Sequence, residues 1–363
     1  MPGTKTLTML AAYNEMDVEP PLLFSSMFAV TKRSFFSTEH ITFDITRGEE
    51  SVAVPVPSLE SNYRGNVAGV YTNKELTPPI LAEDTPFSTF DLLDRTAGNT
   101  PYDDLRKNEK ASVLEKILEM SQRLTNKMRR TIELQGSQIM QTGKLALPDD
   151  AGGIAYALDY FPKATHFPTV GTPWTAAGST PVEDLSALGN VIRADGKHTP
   201  DTLIMGEQAY LAFIQNDQVT KLMNNRRIDL GGIRPGGISP SGVYKGRFEL
   251  AHYSYDIWTY EGLYESPDTN QSTFFMDTNK VVMRASTGRL DSAFGHVPDI
   301  SRLLGKIPLI PSLSRVASKK NRMDFFPKVT MNSNETVLRY GVKSRPLLIP
   351  TAIDTFGCLT AVY

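Results

Sequence analysis

Between Ile41 and Pro57 apolar and polar residues alternate, first in ITFDI and then in SVAVPVP, with TRGEE between them. A period of two predicts a pair of strands joined by a turn. Pro55 and Pro57 cannot donate to a ladder, which confines the second strand to a sheet edge or an excursion. The hairpin is therefore expected to protrude. Residues 1–40 carry apolar clusters, MLAAY, PPLLFSSMFAV and FF, without a sustained period, and read as an arm lying on other surfaces.

Breakers dominate the next stretch, PPILAEDTPFSTFDLLDRTAGNTPYDD, until the grammar changes at Thr100. Thr100-Pro101-Tyr102-Asp103 resembles a capping box, with proline at the first helical position and Asp103 and Asp104 at the positive end of the helix dipole. Apolar residues then step by three or four through Val113, Ile117, Met120, Leu124, Met128 and Ile132, while Glu115, Lys116, Glu119, Arg123, Lys127 and Arg130 occupy other faces. Continued to Leu134, such a helix is roughly 50 Å long and spans the molecule as a spine. Gly136 and Gly143 are both candidate ends.

Strand-like and turn-rich segments follow (GKLALPDD, AYALDYF), and a second capping box, Thr180-Pro181-Val182-Glu183, opens a helix with Gly196 beyond its end. DTLIM reads as a strand, GEQAYLAFIQNDQVTKLMNN as one helix, and RRIDLGGIRPGGISPSGVYKG, residues 226–246, as a mobile loop. FELAHYSYDIWTY and STFFMDTNKVVMRAS are aromatic and β-branched strands, and the tail (FPKVTM, VLRYGV, PLLIPTAI, CLTAVY) repeats the strand pattern and returns to a sheet begun earlier. The fold class expected is α+β.

Composition narrows the function more than it names it. The 363 residues carry 21% charged residues and a net charge of -2, which excludes a disordered polyelectrolyte and a strongly basic nucleic-acid binder. The single cysteine, Cys358, lies in the apolar stretch TFGCLTAVY and reads as a buried core thiol. No stretch approaches the length of a membrane span, and the N-terminus lacks a signal-peptide pattern.

Candidate chemistry does not converge. His40, His166, His198, His252 and His296 are scattered with no metal-ligand spacing; His166 and His252 are the two that could act as general bases, though a structural role is the simpler reading. GGIRPGG fits neither a dinucleotide fingerprint nor a phosphate loop. Two basic clusters, Arg129-Arg130 and Arg315, Lys319, Lys320, Arg322, read as solvated faces that offer at most nonspecific phosphate contact. No catalytic, cofactor or metal residue is assigned.

The succession of elements is more informative than any motif. PLLFSSMFAVTKRSFFSTEHITFDI, the proline-dense ELTPPILAEDTPFSTFDLLDR, the long helix with its GKLAL exit, TLIMGEQAYLAFIQNDQVTKLMNNRR, YKGRFELAHYSY and SRPLLIPTAIDTFGCLTAVY together resemble the major capsid proteins of tailed bacteriophages, in the lambda-like branch of the Hong Kong 97 type fold. The likeness covers nearly the whole chain in order. It implies an N-terminal arm (residues 1–40), an extended loop region (41–99), a spine helix with peripheral strands (100–180), an axial lobe with a mobile loop near 230–242 (181–322), and C-terminal strands returning to the periphery (323–363).

The resemblance further implies a structural, non-enzymatic protein that assembles as hexamers and pentamers into an icosahedral head. Its partners would be itself, a scaffolding protein, a portal protein, in some relatives a decoration protein, and packaged double-stranded DNA through nonspecific contact. Assembly would occur in the host cytoplasm, without a membrane. The extended loop would lie over a neighbouring subunit, and Arg47, Glu49, Glu50, Arg64 and Lys74 are the residues expected to face complementary groups across that boundary. An encapsulin-like nanocompartment shell and an enzyme with an α+β core are the competing readings.

Overall fold

The computed structural model describes residues 22–31, 34–36, 40–46, 71–88, 105–149, 152–225, 242–250, 253–267, 269, 271–297, 325–331 and 337–363. In chain order the first elements are α1 (Leu23–Ser26), β1 (Ile41–Thr46), β2 (Tyr71–Leu76), β3 (Leu81–Ser88), α2 (Leu105–Thr142), β4 (Lys144–Pro148), β5 (Ile154–Asp159), α3 (Pro181–Gly196), β6 (Thr202–Met205), α4 (Glu207–Gln215) and α5 (Asp217–Asn225). Strands follow: β7 (Val243–Glu249), β8 (Ser254–Thr259), β9 (Leu263–Glu265), β10 (Ser272–Phe274), β11 (Lys280–Arg284), β12 (Asp291–Phe294), β13 (Phe326–Met331), β14 (Val337–Ser344), β15 (Pro346–Ile349) and β16 (Phe356–Thr360).

The spine helix α2 has 38 residues, about 57 Å at the usual rise. It runs through Gly136 and stops at Gly143, whose φ of 66° suits only glycine well. Its expected start, 100–104, lies outside the described residues, as do the side chains of Val113 and Ile117. Leu124 and Met128 are buried with Phe325, Tyr340 and Val342, and Met120 and Ile132 pack against the same cluster. The apolar stripe thus faces the three-stranded sheet β13-β14-β3.

Further along, α2 enters the main core. Glu133 is fully buried there, and its carboxylate accepts the backbone N–H of Phe24 at 2.8 Å and of Ser25 at 2.7 Å, at the start of α1. One turn later a Cβ on Gly136 would lie 3.0 Å from the Phe24 Cβ. Phe24 is buried edge-on against the Tyr260 ring, 5.5 Å between centroids.

The central sheet has the order β16-β11-β6-β8-β7, with β6 and β8 parallel and the other pairs antiparallel. Its two faces serve different cores. The cross-strand row Cys358, Val282, Ile204 points into the core shared with α2, while Leu359, Val281, Met205 and then Met283, Leu203, Ile257 point into a core with α3 and α4. Continuous apolar runs such as VVM in β11 and LIM in β6 are what a sheet buried on both faces requires.

Several sequence expectations need correction. β1 pairs along all six residues with β2, Ile41 with Leu76 through Thr46 with Tyr71, rather than turning directly into SVAVPVP, which lies outside the described residues. LAEDTPFS, read as breaker-rich, is the strand β3; as the outer strand of its sheet it tolerates Pro86, which needs no ladder partner on its open side. The helix read over GEQAYLAFIQNDQVTKLMNN is two helices, broken where Asn216 adopts ψ 134° and its side chain caps Gln218 N–H at 2.9 Å.

Further differences lie at helix and strand ends. Thr180 makes no side-chain cap; backbone bonds to its carbonyl close the first turn of α3, and Trp174 Nε1 takes up Asp184 at 2.9 Å. Residues 243–246, assigned to the loop, begin β7, and STFFMDTNKVVMRAS is two strands, β10 and β11, with a turn between.

Three measurements test this packing. Leu124→Asp places a charge in the apolar stripe and should unfold the protein or cut its melting temperature sharply; an unchanged melting temperature would mean that face is not buried. Glu133→Ala leaves two N–H donors without their acceptor and should lower unfolding free energy by about 1–3 kcal/mol. Burial raises the Glu133 carboxyl pKa despite the donors from Ser25 and Phe24. Its stabilising contribution is therefore full below the ordinary carboxylate range and is lost as pH rises through the raised folded value. The stability gap between wild type and Glu133→Gln should shrink over that window; a gap independent of pH would contradict it.

Candidate assembly element

β1 and β2 form a two-stranded ribbon, and among the described strands each pairs only with the other. Six residues of antiparallel strand reach about 20 Å. Its root is built into the body: Ile41 is fully buried in the main core, and Leu76 packs against the same cluster. Of the five residues expected at the subunit boundary, Arg47, Glu49, Glu50 and Arg64 lie outside the described residues. Lys74 lies in β2, where its register partner is Phe43.

The root itself is polar and tightly held. After Leu76 the chain runs through Thr77, Pro78, Pro79 and Ile80 into β3, and the first two of these residues are gripped by two distant segments as well as by His40, which faces Thr77 just before β1. His40 Nδ1 lies 2.9 Å from the Thr77 hydroxyl, and Tyr156 on β5 donates its hydroxyl to the Thr77 carbonyl at 3.0 Å. Arg345, between β14 and β15, donates Nη2 to the Pro78 carbonyl at 3.3 Å and Nη1 to the His296 carbonyl at 3.0 Å. Pro78 is buried against Gly295, where a Cβ would come within 3.1 Å of its ring. No motif marks these residues; the only sequence signal is the Pro-Pro pair.

The candidate general base His166 is structural. It is 1% exposed, with Nδ1 2.8 Å from the Phe356 carbonyl and Nε2 3.1 Å from Asp195. Lys163 hydrogen-bonds the same carboxylate and holds its pKa below the ordinary value. His166 thereby fastens residues 164–170 along the open edge of β16, where Val170 N–H bonds the Thr360 carbonyl and Thr360 N–H the Pro168 carbonyl, both at 3.1 Å. His252 lies outside the described residues.

Other candidates for chemistry are likewise absorbed by packing. Arg129 sits 5.9 Å from the Phe325 ring centroid, packed rather than solvated. The second basic cluster lies outside the described residues. Among the described residues no group of three His, Cys, Asp or Glu side chains could hold a metal, and no helix is long and apolar enough to cross a membrane.

A long spine helix beneath a three-stranded sheet, a second lobe around a central mixed sheet, and a ribbon leaving from the junction define a Hong Kong 97 type capsid fold. The chain matches the family described as phage major capsid protein E over residues 5–360, and it belongs to that family. It is similar to a crystal structure assigned as a prophage capsid protein from E. coli CFT073, with TM-score 0.66, 16% identity and 99% of each chain covered. A phage-related protein from Bordetella bronchiseptica RB50 gives 0.47 at 12% identity, covering 97% of this chain and 95% of that one. A chain of Gordonia phage Cozz gives 0.46 at 8%, covering 95% and 88%. No curated protein matches the chain.

The protein is accordingly a structural subunit of a phage head shell, it associates with copies of itself, and its place is the virion. Its family implies a non-enzymatic role, and neither the nanocompartment nor the enzyme reading is favoured by it.

Burial pushes the Cys358 thiol up to about 12. The folded protein should therefore resist a water-soluble thiol reagent at pH 8 and react only on unfolding; rapid stoichiometric labelling of the native chain would show that β16 opens.

Proposed function

We propose that the subunit assembles as hexamers and pentamers, and that the β1–β2 ribbon is the part that reaches over a neighbouring copy. The observation that carries this reading is the ribbon's construction: two strands paired with each other, rooted at Ile41 and Leu76, with their outer edges unpaired among the described strands. An isolated two-stranded ribbon is marginally stable in water, so it needs a surface to lie on. A neighbouring copy supplies one.

In this reading Arg47, Glu49, Glu50, Arg64 and Lys74 set register across the boundary more than affinity. Each contact can be modest, because a subunit in a closed shell touches several neighbours at once and later contacts become nearly intramolecular. The glycine-rich segment 230–242 belongs near the axis, where one sequence must suit two local symmetries. Scaffolding and portal proteins direct closure in the host cytoplasm, a decoration protein is an optional outer partner, and packaged DNA meets the inner surface without sequence specificity.

Replacing residues 47–70 by an Asn-Gly turn tests the ribbon. The body should keep its melting temperature within a few degrees, while negative-stain electron microscopy should show shells for wild type and only small oligomers for the variant. Shells formed without residues 47–70 would take the ribbon out of assembly.

A further inference from the structure

Arg345 is 3% exposed, forms no ion pair among the described residues, and its Nε has no hydrogen-bond partner. Its two bonds go to the carbonyls of His296 and Pro78. A buried guanidinium with two neutral acceptors and no counter-charge is an expensive way to make two hydrogen bonds. A long apolar side chain would fill the same space at lower cost, so the gain must be in position.

The position is distinctive. The β14–β3 ladder ends at the pair Ser344–Leu81, and Arg345 is the next residue on β14's side. Opposite it the linker turns away toward the ribbon through Pro79 and Pro78, neither of which has an N–H to extend the ladder. The Pro78 carbonyl is nonetheless inside the protein and needs a donor. Arg345 provides it from its side chain, while its own carbonyl accepts the Gly295 N–H at 2.9 Å. One side chain thus ties the corner between ribbon and body to both the end of β12 and the end of β14.

We infer that Arg345 is a positioning residue that fixes the direction in which the β1–β2 ribbon leaves the body, and hence the angle at which successive subunits meet. The inference rests on the reading of the ribbon as the element that covers a neighbour. Thr77, whose carbonyl is held by Tyr156 on β5, is the second point of the same clamp. Two points on consecutive residues define an orientation, where one would leave a swivel.

The test uses the full chain with Arg345→Gln, which removes the charge and the fork. Hydrogen–deuterium exchange of the unassembled subunit should speed up by about tenfold in the peptide covering residues 71–81, with the β11 and β16 peptides unchanged. Electron microscopy of assembled material should show shells of mixed size or open sheets where wild type closes uniformly. Unchanged exchange at 71–81 overturns the clamp; faster exchange with uniform wild-type shells overturns its control of geometry.

If Arg345→Gln also loosens the core peptides, Arg345→Lys, which keeps the cation but only one donor direction, is read in its place with the same expectations. Tyr156→Phe, cut back by one hydroxyl on a partly exposed residue, should move exchange at 71–81 in the same direction by less. Absence of shells from wild type itself would count against the ribbon reading, and the exchange result would still judge the clamp.

Discussion

The body depends on one crossing, where the short helix α1 lies on the long helix α2. The approach at Gly136 is so close that a methyl group would press on both the side chain and the backbone of Phe24. Glycine inside a helix costs roughly 1 kcal/mol relative to alanine, and burying the Glu133 carboxylate one turn earlier costs more. Both are tolerated because together they dock the arm. From that point the chain runs beside β12, bridging Ala29 to Asp291 and Phe35 to Phe294, and β12 in turn pairs with β15, which leads into the edge strand β16. The arm, the spine and the central sheet therefore share one anchor.

Much of this order was legible in the sequence because it is written in periodicity. The stripe Met120, Leu124, Met128, Ile132 is the face of α2 that packs, against the sheet β13-β14-β3, and the apolar runs of the tail are strands that return to partners far upstream, β14 to β3 and β16 to β11. Errors fall where local chemistry had more than one use. Glycine signals a helix end and also a close approach: Gly136 is the second, and so is Gly196, where a Cβ would collide with the Asp354 carbonyl while Lys197 takes the left-handed cap. Proline signals a breaker and also an edge, which is why β3 was missed.

The root of the ribbon was not legible at all, for a different reason. Its long-range hydrogen bonds join the Thr77 and Pro78 carbonyls to Tyr156 and Arg345, up to 267 positions away, through one donor each. Such bonds ask little of the residue that accepts them, since every residue has a carbonyl, so no spacing or pattern records them. The spacing of the ribbon's own charges was visible, but a charge whose partner belongs to another molecule looks the same in sequence as one facing water.

A shell subunit must fold without its neighbours and then bind them at chosen surfaces, and the sheet edges show how the two demands are separated. The edge of β16 is covered by residues 168–170 of the same chain. At the other end of that sheet β7 carries an irregular register between Tyr244 and Gly246, with Gly246 at φ 130°, and presents Lys245 and Arg247, features that discourage a second strand from adding. The three-stranded sheet ends on β3 with Pro86. With these edges blunted, β1–β2 stands with β4–β5 and β9–β10 among the pairs whose outer edges carry no further described strand. With the ribbon covering a neighbour, as proposed, assembly is specified by where it points, and the geometry of its root becomes as consequential as the chemistry of its tip.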